Sequence, residues 1–388
     1  MKSKTPAQIA EIARLKKELK DVKRLLADEI LDHRIDIATL EVASEMYHFD
    51  PVALKKKERW YEIAHRVTET GVNCDERTKL KVRPVCSRLG YSRQAYYRER
   101  TERRREAVNE ALIVDAVVRA RIVHPRCGTR KLLKYTRDDL ARAGLSVGRD
   151  RFFEIMRTHD MLVKRRKAFV PHTTHWDASL PVSRNLLANR IIDGPNQAFV
   201  ADITYIRTSE GFLYLSLVTD YFSKDIVGWH LADDLTAEGC LKALEMAYRV
   251  IPPGATVIHH SDRGCQYASR AYRERLDALG MLSSMTEELH CYENSVAERV
   301  NGILKGEYGL DVEFESSDVA LKAVSHVIDV YNNLRIHESL GYVTPARARR
   351  EPDFVRERIV AIQKAAQARR KDYAEKKAAA LAAARKAA

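Results

Sequence analysis

Cysteine is sparse and scattered along this chain. Six of them, Cys74, Cys86, Cys127, Cys240, Cys265 and Cys291, are spread over 388 residues, and no two form a C-x-x-C pair. That spacing argues against both a disulfide framework and a zinc finger, and a reducing cytoplasm is the natural setting. No run of about 18 apolar residues occurs, so no membrane-spanning helix is expected. The N-terminal stretch MKSKTPAQIAEIARLKK lacks an apolar signal segment, which predicts a soluble, unexported protein. Disorder is excluded by a 45% hydrophobic composition, enough to bury a core in each of two or three domains.

Charge is present in excess and unevenly placed. Residues 51–170 carry 31 Lys and Arg against 15 Asp and Glu, whereas residues 171–350 carry 17 against 24. A basic block of that size suits a polyanion, and with no amphipathic anchor in the chain the expected partner is nucleic acid and not a membrane. Two stretches inside the block read as helix-turn-helix units, whose second helix is presented to the DNA major groove. In LKVRPVCSRLGYSRQAYYRER, Val82, Val85 and Leu89 mark a first helix, Gly90 a turn, and Ser92 the cap of a helix bearing Arg93, Gln94 and Arg98. Those side chains suit base edges and phosphates. Further on, a helix from about Thr129, carrying Arg130, ends near Gly144, and another begins near Gly148 with Arg149 and Arg151 at its start. The basic run Lys164, Arg165, Arg166 and Lys167 follows and extends the expected DNA surface.

The expected organisation places a coiled-coil helix at 1–48. Ile12, Leu15, Leu19, Val22 and Leu26 step by three and four, and Ile30, His33, Ile37 and Leu40 resume the ladder after a stutter. This predicts a homo-oligomer, at least a dimer. Helix-turn-helix segments at 51–103 and 104–170 come next, then a polar linker at 171–190, an α/β domain at 191–350 and a basic, Ala-rich tail at 351–388, read as a solvated helix or disorder without chemistry. In the α/β domain QAFVADITYIR, GFLYLSLVTD and SKDIVGWHL read as a β-meander, with Asp220 and Asp225 bounding its second turn. A βββαβαβα order follows, which gives one mixed five-stranded sheet covered by helices.

Carboxylates carry the chemistry of that domain. Alternation puts Asp202 with Val200 and Thr204 on one strand face, opposite Phe199, Ala201, Ile203 and Tyr205. A carboxylate in so apolar a strand needs a cation or a strong donor beside it. Asp262, in VIHHSDRGCQYAS, ends the fourth strand. Local chemistry allows it three roles: a metal ligand, a neighbour of a Cys265/His260 nucleophile pair, or a turn residue bonded to its own backbone. His259 and His260 read as structural or DNA-facing, because a soft-ligand pattern is missing. If the fourth strand pairs with the first, two carboxylates repel unless a divalent cation lies between them. Glu298, near the start of a helix capped by Asn294 or Ser295, is the third candidate, with Glu293 in the preceding loop as its rival.

These motifs resemble the retroviral-integrase-like DDE transposases of bacterial insertion sequences, the group that joins a leucine zipper and helix-turn-helix segments to an integrase core. PNQAFVADITYI is similar to the family's first acidic strand, HHSDRGCQYAS to the second acidic site and ENSVAERVNGILKGE to the third, and YNNLRIHESLGYVTPARAR looks like the closing segment. Many relatives have tryptophan where this chain has Phe199, a packing change only. The resemblance implies an RNase H-like core in which Asp202, Asp262 and Glu298 are catalytic and hold two Mg²⁺ or Mn²⁺ ions. It also implies that Lys305 approaches the transposon end, that Gly264 keeps the mouth of the site open, and that Gln266 and Tyr267 touch DNA. The implied reaction is cleavage and strand transfer on double-stranded DNA, both transposon ends and target, by copy-out and paste-in through a circular intermediate. The implied setting is the bacterial cytoplasm, in association with the nucleoid.

Overall fold

The heptad-patterned N-terminus forms one long helix, α1 (Pro6–Ser44), whose two halves differ in environment. In the computed structural model, which describes residues 6–44, 60–70, 81–164, 182–188, 190–287 and 294–387, the chain divides into two units, Met1–Leu112 and Ile113–Ala388. Along the first half of α1, Leu15, Leu19 and Val22 are exposed, whereas Leu31, Ile35 and Ala38 are buried. The expected ladder is therefore displaced after the stutter. Ile30 and His33 face solvent, and the side chains of Ile37 and Leu40 lie outside the described residues. The cause is a competing apolar surface in the same unit. Tyr61 and Ile63 of α2 (Trp60–His65), Val85 of α3 (Val82–Arg88) and Tyr96 of α4 (Arg93–Val123) form one cluster with Leu31 and Ile35.

Both turns of the helix-turn-helix pattern form as their chemistry requires. Gly90 takes φ +80°, a left-handed conformation that a side chain disfavours. Ser92 Oγ then accepts the N–H of Ala95 at 3.1 Å, capping α4. The domain boundary expected between 103 and 104 is not a break, because α4 runs through it. Its last turns supply Ile113 and Val117 to a small core completed by Leu132 and Leu140 of α5 (Thr129–Arg142) and by Phe152, Ile155 and Met156 of α6 (Arg149–Thr158). Gly144, at φ +72°, ends the turn after α5.

The rest of the larger unit is a mixed sheet between helical layers. Its elements are β1 (Ala198–Thr208), β2 (Gly211–Asp220), β3 (Ile226–Ala232), α7 (Ala237–Tyr248), β4 (Ile258–Ser261), α8 (Cys265–Ala268), α9 (Arg270–Ala278), β5 (Leu282–Met285), α10 (Ser295–Gly306), β6 (Glu313–Phe314), α11 (Ser317–Asn333), α12 (Pro345–Arg350) and α13 (Asp353–Ala387). The strand order is β3-β2-β1-β4-β5, with the first three antiparallel and β4 and β5 parallel to β1. Alternation along β1 and β2 splits the core. Phe199, Ala201 and Val218 pack toward α7 and α9, while Ile206, Leu215 and Leu217 pack toward α10 and α11. A Cβ at Gly228 would collide with the carbonyl of Ala243, so glycine lets α7 lie close on β3.

Two expectations need correction here. The sheet has a sixth strand, β6, parallel to β1, and its two residues are too few to show a period. The tail is not wholly solvated. Val355 and Ile359 of α13 are buried with Ile192 and Leu340, and the Gln363 amide exchanges two hydrogen bonds with the Ile192 backbone, at 2.9 and 2.7 Å. Among the described residues, no helix is long and apolar enough to cross a membrane.

Candidate active site

The register of the sheet brings the first two carboxylates together. β1 and β4 run parallel with Val200 beside His260, and two residues further along each chain stand Asp202 and Asp262. Alternation puts both on the face covered by α10. Asp262 lies just past the end of β4, where a parallel strand delivers its side chain to the carboxyl edge of the sheet. Its Oδ1 accepts the N–H of Gly264 at 3.0 Å, and a Cβ on Gly264 would come within 3.1 Å of that oxygen. Glycine at 264 thus leaves room for the carboxylate.

Glu298 lies in the first turn of α10 and is exposed. The helix is oriented by two asparagines on the same face. Asn294 Nδ2 donates to the carbonyl of Ala201 at 3.0 Å, and Asn301 Nδ2 donates to Asp202 Oδ2 at 2.8 Å. Positions 294, 298, 301 and 305 follow the i, i+4, i+7, i+11 spacing of a single helical stripe, so Glu298 and Lys305 share that face. Asn301 escaped the reading of the sequence, although its spacing from Glu298 carried the signal. It supplies the strong donor that the buried part of Asp202 needs, together with the N–H of Ile203 on Oδ1 at 2.9 Å.

The three carboxylates sense one another. Burial first, and then the charge of Asp262, lift the Asp202 pKa to about 7, against the opposing Asn301 bond, and Glu298 adds to the rise. Glu298 is itself raised, by burial and then by Asp262. Burial lowers the Lys305 pKa, and the charge of Asp202 opposes that. Among the described residues, no three His, Cys, Asp or Glu side chains converge closely enough to cage an ion as they stand. Like charges hold one another apart, and three hard oxygen donors of this kind match a divalent hard cation.

The neighbouring candidates take other roles. His259 is buried, bonded to the Tyr272 hydroxyl at 2.9 Å, with its pKa pushed down to about 3 by burial and then by His260. His260 is buried on Ser284 Oγ at 2.8 Å, whereas Cys265 is exposed, so the two do not share an environment suited to a nucleophile pair. Tyr267 is a correction. Only 3% exposed and packed against Tyr272 and His259, it is a core residue and is not open to DNA. Gln266, half-buried, donates to the Leu235 carbonyl at 3.0 Å. Asp220 and Asp225 bound the β2–β3 turn as expected, and Asp220 Oδ1 accepts both the N–H and the Oγ–H of Ser223 at 2.7 Å. Glu293 lies outside the described residues, as do Arg165, Arg166 and Lys167. Arg93, Gln94, Arg98, Arg130, Arg149, Arg151 and Lys164 are all exposed. Arg149, Arg151 and Lys164 make local surface pairs with Asp150, Glu154 and Asp160.

Two family models, both described as Integrase core domain, match residues 193–291 and 279–345. The Insertion element IS600 uncharacterized 31 kDa protein of Shigella sonnei is 35% identical over 269 residues, 68% of this chain and 97% of that protein. The Transposase for insertion sequence element IS629 of the same organism is 32% identical, over 70% of this chain and 92% of that protein. Transposase InsF for insertion sequence IS3A of Escherichia coli K12 is 30% identical, over 69% and 93%. With the acidic residues of this sheet and helix inside the matched region, the chain belongs to the family of bacterial insertion-sequence transposases with an integrase core.

Proposed function

We propose that this chain cuts DNA at the terminal inverted repeats of an insertion sequence and joins the freed 3′ ends to a second phosphodiester, by copy-out and paste-in through a circular intermediate. What supports the reading is the register that sets Asp202 on β1 beside the strand ending at Asp262, with Glu298 on the helix that Asn301 ties to Asp202, and charges that shift the pKa of Asp202 and Glu298. These three carboxylates would hold two Mg²⁺ or Mn²⁺ ions, which when bound activate the attacking oxygen and neutralise charge on the phosphate. The chain's own part is positioning. Asn301 and the Ile203 N–H fix the Asp202 carboxylate, Gly264 gives Asp262 its space, and Lys305 offers a positive charge to the backbone of the DNA end.

Arg93, Gln94 and Arg98 on α4 in the first unit, and separately Arg130 on α5 with Arg149, Arg151 and Lys164 on and after α6 in the second, bind the repeats, with affinity falling steeply as salt rises. Two ends have to be held at once, and the exposed Leu15, Leu19 and Val22 of α1 offer a seam for a second copy. The test is incubation with Mg²⁺ and a labelled duplex taken from the end of the insertion element that encodes the chain, for wild type and Glu298→Gln. Joined products from the wild type and none from the variant support the reading. Cleavage without joining would make the chain a nuclease, and binding without chemistry a regulator.

A further inference from the structure

The helix that carries Glu298 ends in a second glutamate with no place in the chemistry. Glu307 follows α10 directly, and its two oxygens receive Arg335 Nε and Nη2, both at 2.8 Å. Lys131 Nζ, from α5, reaches the same oxygens at 3.1 and 3.3 Å. The side chains are 2%, 19% and 16% exposed for Arg335, Glu307 and Lys131, so the cluster is nearly dry. More contacts surround it and join the same two stretches of chain. The Arg126 N–H donates to the Glu307 carbonyl at 3.1 Å and its guanidinium pairs with Asp311 at 3.1 Å. His124 Nδ1 meets the Tyr308 hydroxyl at 3.0 Å, and Tyr135 accepts the Ile336 N–H at 2.8 Å.

Apart from the Arg335–Glu307 pair, which lies within the core, every one of these contacts links the start of the second helix-turn-helix, 124–135, to the segments that follow α10 and α11. A buried ion cluster adds little net stability over an apolar one, but it tolerates only one register, because a shifted partner leaves a charge dry and unpaired. At its other end α10 is tied through Asn294 and Asn301 to β1, the strand of Asp202. From Glu298 to Glu307 the helix spans about 13 Å at 1.5 Å per residue, too short to absorb slack.

We propose that Glu307 is a positioning residue that locks the second helix-turn-helix to the catalytic helix, so that this joint sets which phosphodiester of the bound end is presented to Glu298. The inference rests on the reading of 104–170 as a DNA-binding segment and deepens it: the joint acts as a ruler between recognition and cutting. Lys131 is its essential partner on the DNA-binding side. Arg335, on the core side, holds Glu307 in place whether or not DNA is bound.

The test maps cut positions at single-nucleotide resolution on a labelled duplex from the end of the encoding element, in Mg²⁺, for the full-length wild type, Glu307→Gln, Lys131→Met and Lys131→Arg. Glu307→Gln and Lys131→Met are expected to bind the duplex within about twofold of wild type, to spread cuts over neighbouring phosphodiesters and to lose roughly tenfold to a hundredfold in rate at saturating DNA. Lys131→Arg is expected to restore the single cut. Variants that fold and cut only at the wild-type position, at the wild-type rate, overturn the proposal. Amide exchange of residues 124–136, measured without DNA, judges the joint apart from activity. Faster exchange in Glu307→Gln than in wild type supports it, and unchanged exchange overturns it even if the wild type cuts nothing, in which case the proposed function fails separately.

Discussion

One helix carries two glutamates with opposite electrostatics. Glu298, in its first turn, is exposed overall, and partial desolvation of its carboxylate, followed by the charge of Asp262, raises its pKa. Glu307, just past its last turn, is lowered, because the bonds and charges of Arg335 and Lys131 outweigh the upward push of its burial. At the first site negative charges raise one another's pKa, and at the second Arg335 and Lys131 pair directly with the carboxylate. The first arrangement weakens the fold and suits chemistry, while the second holds the fold in register. A residue that a fold retains despite repulsion is a better guide to function than one it has paired.

Substitutions at the two glutamates should separate activity from stability. The largest effect is expected from Glu298→Gln, a loss of roughly 10³-fold or more in cutting and joining, with no loss of unfolding free energy in a denaturant titration because a repelling charge is removed. Glu307→Ala should do the opposite to stability, costing about 3–5 kcal/mol by leaving buried Arg335 and Lys131 uncompensated. Equal stability in the two proteins would erase the contrast. Asn301→Ala removes the donor to Asp202 without touching a carboxylate. A drop of about 10–100-fold in Mn²⁺ affinity, read by titration, is expected from the loss of such a supporting bond.

The pH dependence sharpens the same comparison on the side of the joint. His124 is buried against Tyr135 and Tyr308, and burial, with the charge of Arg335 next, lowers its pKa to about 4. Between about 4 and 6.5 the unfolded chain binds a proton that the folded chain does not, so this contribution is present above 6.5 and is lost as pH falls toward 4. It is worth roughly 3 kcal/mol across that window. In His124→Gln the slope of stability against pH should be shallower than in wild type by that amount, whatever its constant offset. Parallel slopes would remove His124 from the joint. The smallest effect is expected of Arg149→Ala, whose side chain makes only an exposed pair with Asp150. Stability should stay within about 1 kcal/mol, while end affinity and its salt dependence fall.

What the sequence disclosed follows from which signals are local. The β-meander, both helix-turn-helix turns, the cap at Ser92 and the helix start near Gly148 are written in neighbouring residues, and they form where expected. The pairing of β4 with β1 could be anticipated from element order, and with it the approach of Asp202 and Asp262. Contacts between distant segments left no local mark. Leu31 and Ile35 turn inward because α2, α3 and α4 offer an apolar surface that heptad counting does not include. Tyr267 is buried by the packing of α9, although its motif places it beside an acidic site. The Glu307 cluster joins residues 176 apart in sequence, Lys131 and Glu307, and no periodicity links them. β6 and the buried start of α13 were hidden for the same reason.

The measurement that tests the account most directly is a single sequencing gel of Mg²⁺ reactions on the labelled element end, with wild type, Glu298→Gln and Glu307→Gln side by side. One sharp cut with joined product in wild type, none in Glu298→Gln and a scatter of weaker cuts in Glu307→Gln is the predicted result. Wild-type cleavage and joining by Glu298→Gln would contradict the assignment of the third carboxylate, and with it the central claim.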